Sequence, residues 1–164
     1  MQVERTFGFF TRTFDVEVAR RHGIVEFLQD SQSRSRLGTV RGLHGCGSSG
    51  ECKLVRCTHR DVHHVLVDAR PGSPTFGSHQ AFRLDDVTFD HLYVPAGLLH
   101  GFQALTEPSD VCYRIDRPHD PTEDLAVRFD DPALGVDWPL PVAAISSRDS
   151  SAGSWRDQVT RLRG

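Results

Sequence analysis

Short strand-like runs separated by turn-forming clusters recur along most of this chain, and they restrict its fold more than any other feature. The runs are rich in Val, Leu, Phe and Tyr and read CKLVRC, VHHVLVDAR, AFRLDD, DHLYVPA, GFQALT and DVCYRID. Clusters of Gly, Pro, Ser or Asp stand between them, such as GCGSSG, RPGSPTFG, TEPS and RPHDP. β-Branched and aromatic residues fit pleated strands, whereas Gly, Pro and Asp favour turns. The regular spacing therefore predicts an all-β fold, either a barrel or a sandwich of antiparallel strands.

Two helices are predicted at the ends of the chain. The segment DVEVARRHG predicts an early helix, with Asp15 as its N-cap and Gly23 as its C-cap. The segment SWRDQVTRLR predicts a second helix near the C-terminal end. The sequence contains no internal repeat, low-complexity segment or linker, so we expect residues 1–164 to form one domain.

Charge and composition argue against several classes of protein. The chain carries 19 Lys and Arg residues against 22 Asp and Glu residues, a formal net charge of −3, so it lacks the basic surface typical of nucleic-acid binding. Neither a signal-peptide pattern nor an apolar stretch long enough to span a bilayer is present. The four cysteines are expected to be free thiols, because no export signal points to an oxidising compartment. We therefore expect a cytoplasmic protein that binds neither nucleic acid nor membranes.

Two histidines at strand ends are candidates for a reactive site. His44 ends the run RGLH, and His100 follows the proline turn of VPAGLLHGF. In a small barrel alternate side chains point inward, so both histidines can meet in one mouth of the barrel. The same alternation gives Lys53 and His64 each one face of a strand, and both side chains join this pocket if those faces point inward. The alternative is that these residues cap strands or face solvent, but burying several basic groups together is costly without a function.

Longer motifs make the sequence resemble a known family. SQSRSRLGTVRGLH, KLVRC, VLVDARPGSPTFG, LYVPAGLLHGF, DPALGVDWPL and SSRD follow one another in the order typical of dTDP-4-dehydrorhamnose 3,5-epimerases, which are cupin-fold enzymes. The resemblance extends from about residue 8 to about residue 150. It implies a double-stranded β-helix (a jelly roll) with one or two short helices, a homodimer and no cofactor. It also implies epimerisation at C3, C5 or both of a nucleotide-linked 4-keto-6-deoxyhexose.

The resemblance also implies roles for individual residues. His44 corresponds to the general base, Asp149 of SSRD to its carboxylate partner, and Tyr113 to the acid. A ketone at sugar C4 acidifies the protons at C3 and C5, and histidine suits their removal because its pKa lies near neutral pH. Lys53 and His100 correspond to groups that stabilise the resulting enolate. Positions that correspond to substrate contacts are occupied by Arg41, Gln29, His100, His119 and His64.

Several positions depart from the family pattern. Cys46 stands where RGLH-x-Q has glutamine, His64 where a strand motif has aspartate, and His119 where an aromatic residue stacks on the nucleotide base. The segment RTFGFFTR lacks the arginine and glutamate of the family segment that crosses to the partner subunit. From the resemblance we also expect the family's usual first strand to be missing. Weaker or less selective nucleotide recognition is therefore expected, with Arg5 or Arg12 supplying positive charge to the pyrophosphate.

Two other functions remain open at this stage. His44, Cys46, Glu51 and His100 have the ligand spacing of a metal-dependent cupin enzyme, to which His64 could add a ligand. Lys53 argues against that site, because an ammonium group beside a dication is unfavourable, and we expect no metal. The altered N-terminal segment is also compatible with a catalytically inactive cupin that binds a sugar nucleotide.

Overall fold

Two β-sheets, three short α-helices and a 3₁₀ helix (Pro121–Glu123) make up the computed structural model, which describes residues 8–24, 26–47 and 50–163. The helices are α1 (Val16–Arg21), α2 (Ser147–Ser150) and α3 (Trp155–Arg163). The strands are β1 (Gln29–Ser35), β2 (Thr39–Cys46), β3 (Lys53–His59), β4 (Asp61–Asp68), β5 (His79–Asp85), β6 (Leu92–Val94), β7 (Leu98–Ala104), β8 (Ser109–Ile115), β9 (Asp124–Ala126) and β10 (Ala144–Ile145). In this described part of the chain, no helix is both long and apolar enough to cross a lipid bilayer.

The strands form one four-stranded and one six-stranded sheet. The first has the order β1-β8-β3-β6, and the second has the order β10-β2-β7-β4-β5, with β9 also paired to β2. The pairings are antiparallel except for β10, which runs parallel to β2. Neighbours such as β2 and β7 lie far apart along the chain, as in a Greek-key sandwich.

The two faces of the six-stranded sheet pack against different partners. Its inner face meets the four-stranded sheet around a cluster that includes Val55, Phe102 and Val111. Its outer face is covered by the C-terminal part of the chain, where Trp155 packs with Val65. Polar and aromatic side chains adjoin this inner cluster, with His64 beside Phe102 and His100 beside Tyr113, and they form the site described below.

The predicted secondary structure is confirmed along the described part of the chain. Each of the six strand-like runs lies on a strand, and both predicted helices are present. Asp15 is the N-cap of α1, since its carboxylate accepts hydrogen bonds from the N–H groups of Glu17 and Val18. The C-cap is His22 rather than the predicted Gly23, which is the next residue and takes the left-handed conformation with a φ of +74°. Helix α2 was not predicted, because four residues carry no periodic pattern.

Gln103 fixes the C-terminal segment that leads to α2. Its side-chain amide donates to the carbonyl oxygen of Leu140 at 2.8 Å, and its carbonyl oxygen accepts from the Leu140 N–H at 2.9 Å. Gln103 is fully buried, so these two bonds satisfy a polar group that would otherwise be costly. The segment then adds β10 to the edge of the sheet and carries Asp149 to Gly42, in the middle of β2.

Candidate active site

A bulge in β2 brings Arg41 and His44 to the same inner face of the six-stranded sheet. Arg41 pairs with Phe102 of β7 and His44 pairs with His100, so three steps along β2 oppose two steps along β7. Without the extra residue, strand alternation would send the two side chains to opposite faces. The RGLH motif therefore encodes a local irregularity that turns both residues into the interior.

Gly42 allows this bulge to pack against β7. Its φ is +111°, and a Cβ atom at this position would lie 2.6 Å from the Cα of Gly101 and from the carbonyl oxygen of His100. A residue with a side chain would be strained in this conformation and would collide with backbone. The Gly42 N–H also donates to Oδ2 of Asp149 at 3.2 Å, which ties α2 to the bulge beside His44.

Three histidine rings and one tyrosine ring meet in the interior. The ring centroids of His44 and His100 are 5.1 Å apart, and those of His64 and His100 are 5.4 Å apart with nearly parallel planes. Tyr113 enters from the four-stranded sheet, with its ring centroid 6.1 Å from that of His100. His44 and His100 thus meet in the interior, as the sequence predicted. The two sheets also present an imidazole and a phenol to each other across one space.

Lys53 joins this cluster and contacts His100 directly. Its Nζ lies 3.0 Å from Nε2 of His100 and 2.8 Å from Oε1 of Glu51. An ammonium group can only donate, so Nε2 of His100 accepts and the proton of this ring lies on Nδ1. The alternation-based prediction that Lys53 points inward is confirmed by these contacts.

The environment keeps His44 and His100 neutral near pH 7. Burial, followed by the nearby charge of Lys53, lowers the pKa of His44, and Asp149 opposes this shift. Burial and the same lysine hold the pKa of His100 well below its ordinary value. A neutral imidazole is the form that can accept a proton, so His44 is suited to the role of base.

Asp149 lies near His44, but its described hydrogen bonds are made elsewhere. Its Oδ2 accepts from the Gly42 N–H, and its own N–H donates to Oγ of Ser146. Nδ1 of His44 is buried and has no hydrogen-bond partner among the described residues. The role of Asp149 as partner of His44 therefore stays a prediction, with electrostatic proximity as its support.

Tyr113 has the properties of a proton donor. Burial raises the pKa of its phenol to about 12, while Ser33 and Arg41 act in the opposite direction. The phenol is thus protonated at neutral pH. Its ring also packs against the inner apolar cluster, so the side chain has a core role, and its acid role stays a prediction.

The remaining predicted contacts fall at different distances from this cluster. Gln29 of β1 pairs with Ile115 of β8, which lies two residues after Tyr113 on the same strand. Gln29 and Tyr113 therefore lie on the same face of the four-stranded sheet. The guanidinium of Arg41 donates to Oγ of Ser35 at 3.0 Å and to the carbonyl oxygen of Arg34 at 3.3 Å. His119 lies outside the sheets, half exposed, with Nε2 at 3.8 Å from Oδ2 of Asp124. Arg41 and Gln29 thus border the interior, whereas His119 lies at the surface.

The prediction that His64 contacts the substrate is not supported by its position. The side chain has no exposed surface, and it is stacked between His100 and Phe102, at 5.4 Å and 6.2 Å between ring centroids. Burial lowers its pKa to about 3, so the ring is neutral. Alternation correctly turns His64 inward, but it lies behind His100 and can act on a substrate only through that residue.

The geometry does not favour the metal-site alternative. Glu51, one of its four predicted ligands, forms an ion pair with Lys53, and burial raises the pKa of the Cys46 thiol away from the thiolate form that binds metals. Within residues 8–24, 26–47 and 50–163, no three His, Cys, Asp or Glu side chains converge in a metal-binding arrangement. The pairing of Glu51 with Lys53 was not predicted, although their spacing of two residues was a usable signal.

The described part of the N-terminal segment packs against its own chain. The rings of Phe9 and Phe89 lie 4.8 Å apart, and Nε2 of His91 is 3.0 Å from the carbonyl oxygen of Thr13. Arg12, predicted to supply charge to a pyrophosphate, forms an ion pair with Asp15 and is 69% exposed. Arg5, the other candidate, lies outside the described residues.

Comparisons with known proteins agree with this geometry. The family model of dTDP-4-dehydrorhamnose 3,5-epimerase matches residues 2–157. The dTDP-4-dehydrorhamnose 3,5-epimerase of Sinorhizobium fredii (strain NBRC 101917 / NGR234) is 37% identical over 151 residues, which are 90% of this chain and 77% of that protein. The dTDP-4-dehydrorhamnose 3-epimerase of Streptomyces niveus is 38% identical over 129 residues, covering 78% of this chain and 62% of that protein.

A solved structure supports the same conclusion and confirms the predicted jelly roll. The crystal structure of the epimerase RmlC from Legionella pneumophila Philadelphia 1, in complex with dTDP-4-keto-L-rhamnose, matches with a TM-score of 0.90. Sequence identity is 32%, and the match covers 98% of this chain and 87% of that one. The protein is therefore an epimerase, and the chain belongs to the dTDP-4-dehydrorhamnose 3,5-epimerase family.

Proposed function

We propose that this enzyme inverts C3, C5 or both of a dTDP-linked 4-keto-6-deoxyhexose through an enolate. One observation carries the proposal: His44 and Tyr113 approach the same space from opposite sheets, with the Lys53 ammonium group beside them. With the pKa of His44 lowered and the pKa of Tyr113 raised, the imidazole is unprotonated and the phenol protonated at neutral pH, which are the forms that a base and an acid need at the start of the reaction. A dTDP-linked 4-keto sugar is also what the Legionella relative holds.

His44 is assigned the first step, removal of the proton next to the C4 ketone. Its Nδ1 is buried, which leaves Nε2 as the nitrogen for the substrate. Nε2 takes the proton from the sugar carbon. The C–H electron pair then forms a double bond between that carbon and C4, and the π electrons of the carbonyl group move onto the C4 oxygen, which gives the enolate. The imidazolium formed is stabilised by the nearby negative charge of Asp149, which acts as a positioning residue.

Lys53 is assigned the stabilisation of the enolate oxygen. A cation at the position where negative charge develops lowers the barrier, and loss of one such donor typically costs about 10²–10³-fold in kcat. His100 accepts from Lys53 and has its own proton on the buried Nδ1, so its Nε2 is occupied. We therefore assign Lys53, rather than His100, to the enolate oxygen, with His100 as an acceptor that holds the ammonium group.

Tyr113 is assigned the last step, delivery of a proton to the opposite face of the carbon. The phenol O–H bond breaks, and the enolate electron pair forms the new C–H bond. The tyrosinate is then reprotonated from solvent, and the His44 imidazolium gives up its proton to solvent, so both side chains return to their starting forms. Inversion results because base and acid come from opposite sheets. These steps use only side chains of this chain, and activity without a metal stays a prediction.

The reaction itself is tested by incubating the protein with dTDP-4-keto-6-deoxyglucose. Reduction of the product with borohydride and NMR coupling constants along the sugar ring show which centres are inverted. Inversion at C3, C5 or both is expected. Recovery of the starting configuration at both centres would contradict the proposal and favour a sugar-nucleotide-binding protein without activity.

Nucleotide selectivity is expected to be weak, because His119 replaces a larger aromatic ring and is half exposed. Thymine differs from uracil by one methyl group, worth roughly 0.8 kcal/mol when buried. We therefore expect dTDP and UDP to differ in affinity by less than about fourfold in titration calorimetry. The variant His119→Tyr is expected to increase the preference for dTDP. A hundredfold preference in the unaltered protein, or no binding of either diphosphate, would refute this expectation.

We also propose that the enzyme is a homodimer. Phe10 is 86% exposed and Phe9 59% exposed, and beside them a cavity of about 850 Å³ on the outer face of the four-stranded sheet is lined by apolar residues such as Phe14 and Leu54. Contiguous exposed apolar surface of this kind is typical of protein interfaces. Sedimentation velocity should give twice the chain mass of 18.3 kDa, and a species of single-chain mass would count against the dimer. The cytoplasmic location stays a prediction.

A further inference from the structure

Glu51 and Lys53 form an ion pair that is almost completely enclosed. Oε1 of Glu51 lies 2.8 Å from Nζ of Lys53, and the two side chains are only 8% and 12% exposed. Exposed ion pairs contribute little because water and salt screen them, whereas an enclosed pair is held firmly as long as both partners are present. This carboxylate therefore restrains the charged end of Lys53.

Two contacts of the Lys53 ammonium group, with Glu51 and with His100, leave one of its N–H bonds for a ligand. An ammonium group has three N–H bonds. One is directed to Glu51 and one to Nε2 of His100, which lies 3.0 Å away. His100 is itself held by the parallel ring of His64 behind it. Two fixed acceptors determine where the third N–H points.

We infer that Glu51 is a positioning residue for epimerisation: it holds the Lys53 ammonium group against His100, so that the remaining N–H meets the substrate oxygen on which charge develops. The inference rests on the proposed function of Lys53. Glu51 acts through Lys53 and does not itself contact the substrate. It also balances the charge of Lys53 in a pocket where the imidazoles are neutral.

The variant Glu51→Gln tests this role, because it keeps the size of the side chain and removes the charge. We expect kcat to fall about tenfold or more while KM changes by less than about twofold, since the enolate interaction is made mainly in the transition state. Affinity for dTDP, measured by calorimetry, should be unchanged. Glu17→Gln is the matched control, because it removes an exposed ion pair with Arg20 and should leave kcat unaltered.

A double-mutant cycle with Lys53→Met separates positioning from a purely structural role. If Glu51 acts through Lys53, adding Glu51→Gln to Lys53→Met should not lower kcat further. It should also raise the Tm of the Lys53→Met protein, because the single variant leaves a buried carboxylate without its partner. An additional independent loss of kcat in the double variant would overturn the inference. A wild-type value of kcat in Glu51→Gln would also overturn the inference about Glu51. The proposed function would not be affected by that result, because it depends on the activity of the wild-type enzyme.

Discussion

Replacing His44 with glutamine is expected to lower the rate at which solvent hydrogen exchanges into the substrate by about 10²–10⁴-fold. Glutamine fits the space and keeps polar atoms, but it cannot accept a proton from carbon. The interior packing around His44 should persist, because its ring contacts are made mainly with His100. The measurement is the rate of deuterium incorporation into dTDP-4-keto-6-deoxyglucose in D₂O, with dTDP binding and Tm as controls for folding.

Asp149→Asn is the comparison for this prediction, because the amide can still accept from the Gly42 N–H. The exchange rate should fall less than in the His44 variant. Since burial and Lys53 lower the pKa of His44, wild-type activity should persist below about pH 6.5, the ordinary histidine value. Asp149 raises that pKa, so its loss should move the acid limb of kcat/KM to still lower pH. Wild-type exchange in His44→Gln, or an acid limb displaced upward in Asp149→Asn, would refute these assignments.

Replacing Tyr113 with phenylalanine is expected to separate exchange from inversion. His44 can still remove the proton and return one to the same face, so deuterium should enter the substrate without a change of configuration. Formation of inverted product should fall by about 10²-fold or more, because the acid is missing. Phenylalanine retains the packing of the ring against the inner apolar cluster, so stability should change little.

The readout for Tyr113→Phe is the ratio of deuterium incorporated to product inverted, measured by NMR on one sample. The ratio should rise well above the wild-type value. Tyr93→Phe is the control, since Tyr93 lies at the cavity on the outer face of the four-stranded sheet. Loss of exchange and inversion to the same extent in Tyr113→Phe would mean that Tyr113 supports the site rather than supplying the proton.

Strand alternation accounts for much of what the sequence predicted about the site. Because the period is two, the residues that share a face with Lys53 and with His64 could be predicted, and the structure shows that both faces point inward. Alternation does not encode depth, and for that reason His64 was expected at the substrate although it lies enclosed behind His100. The resemblance to the family, rather than periodicity, identified Tyr113 and Asp149.

The parts that could not be predicted depend on contacts between distant segments. The bulge between Arg41 and His44 is defined by the register of β2 against β7, which lie about sixty residues apart, and a single segment does not reveal it. Helix α2 is only four residues long, and its position depends on the contact between Asp149 and Gly42. The ion pair of Glu51 with Lys53 joins residues only two positions apart, and their spacing is a signal for it, but the sequence does not show that both side chains are buried together.

The central claim is that inversion occurs by removal of a proton on one face and delivery of another from the opposite face. Reaction of the wild-type enzyme in D₂O tests it most directly, with NMR of configuration and deuterium content at C3 and C5. We expect every inverted centre to carry deuterium from solvent. An inverted centre that keeps its original hydrogen would contradict the account.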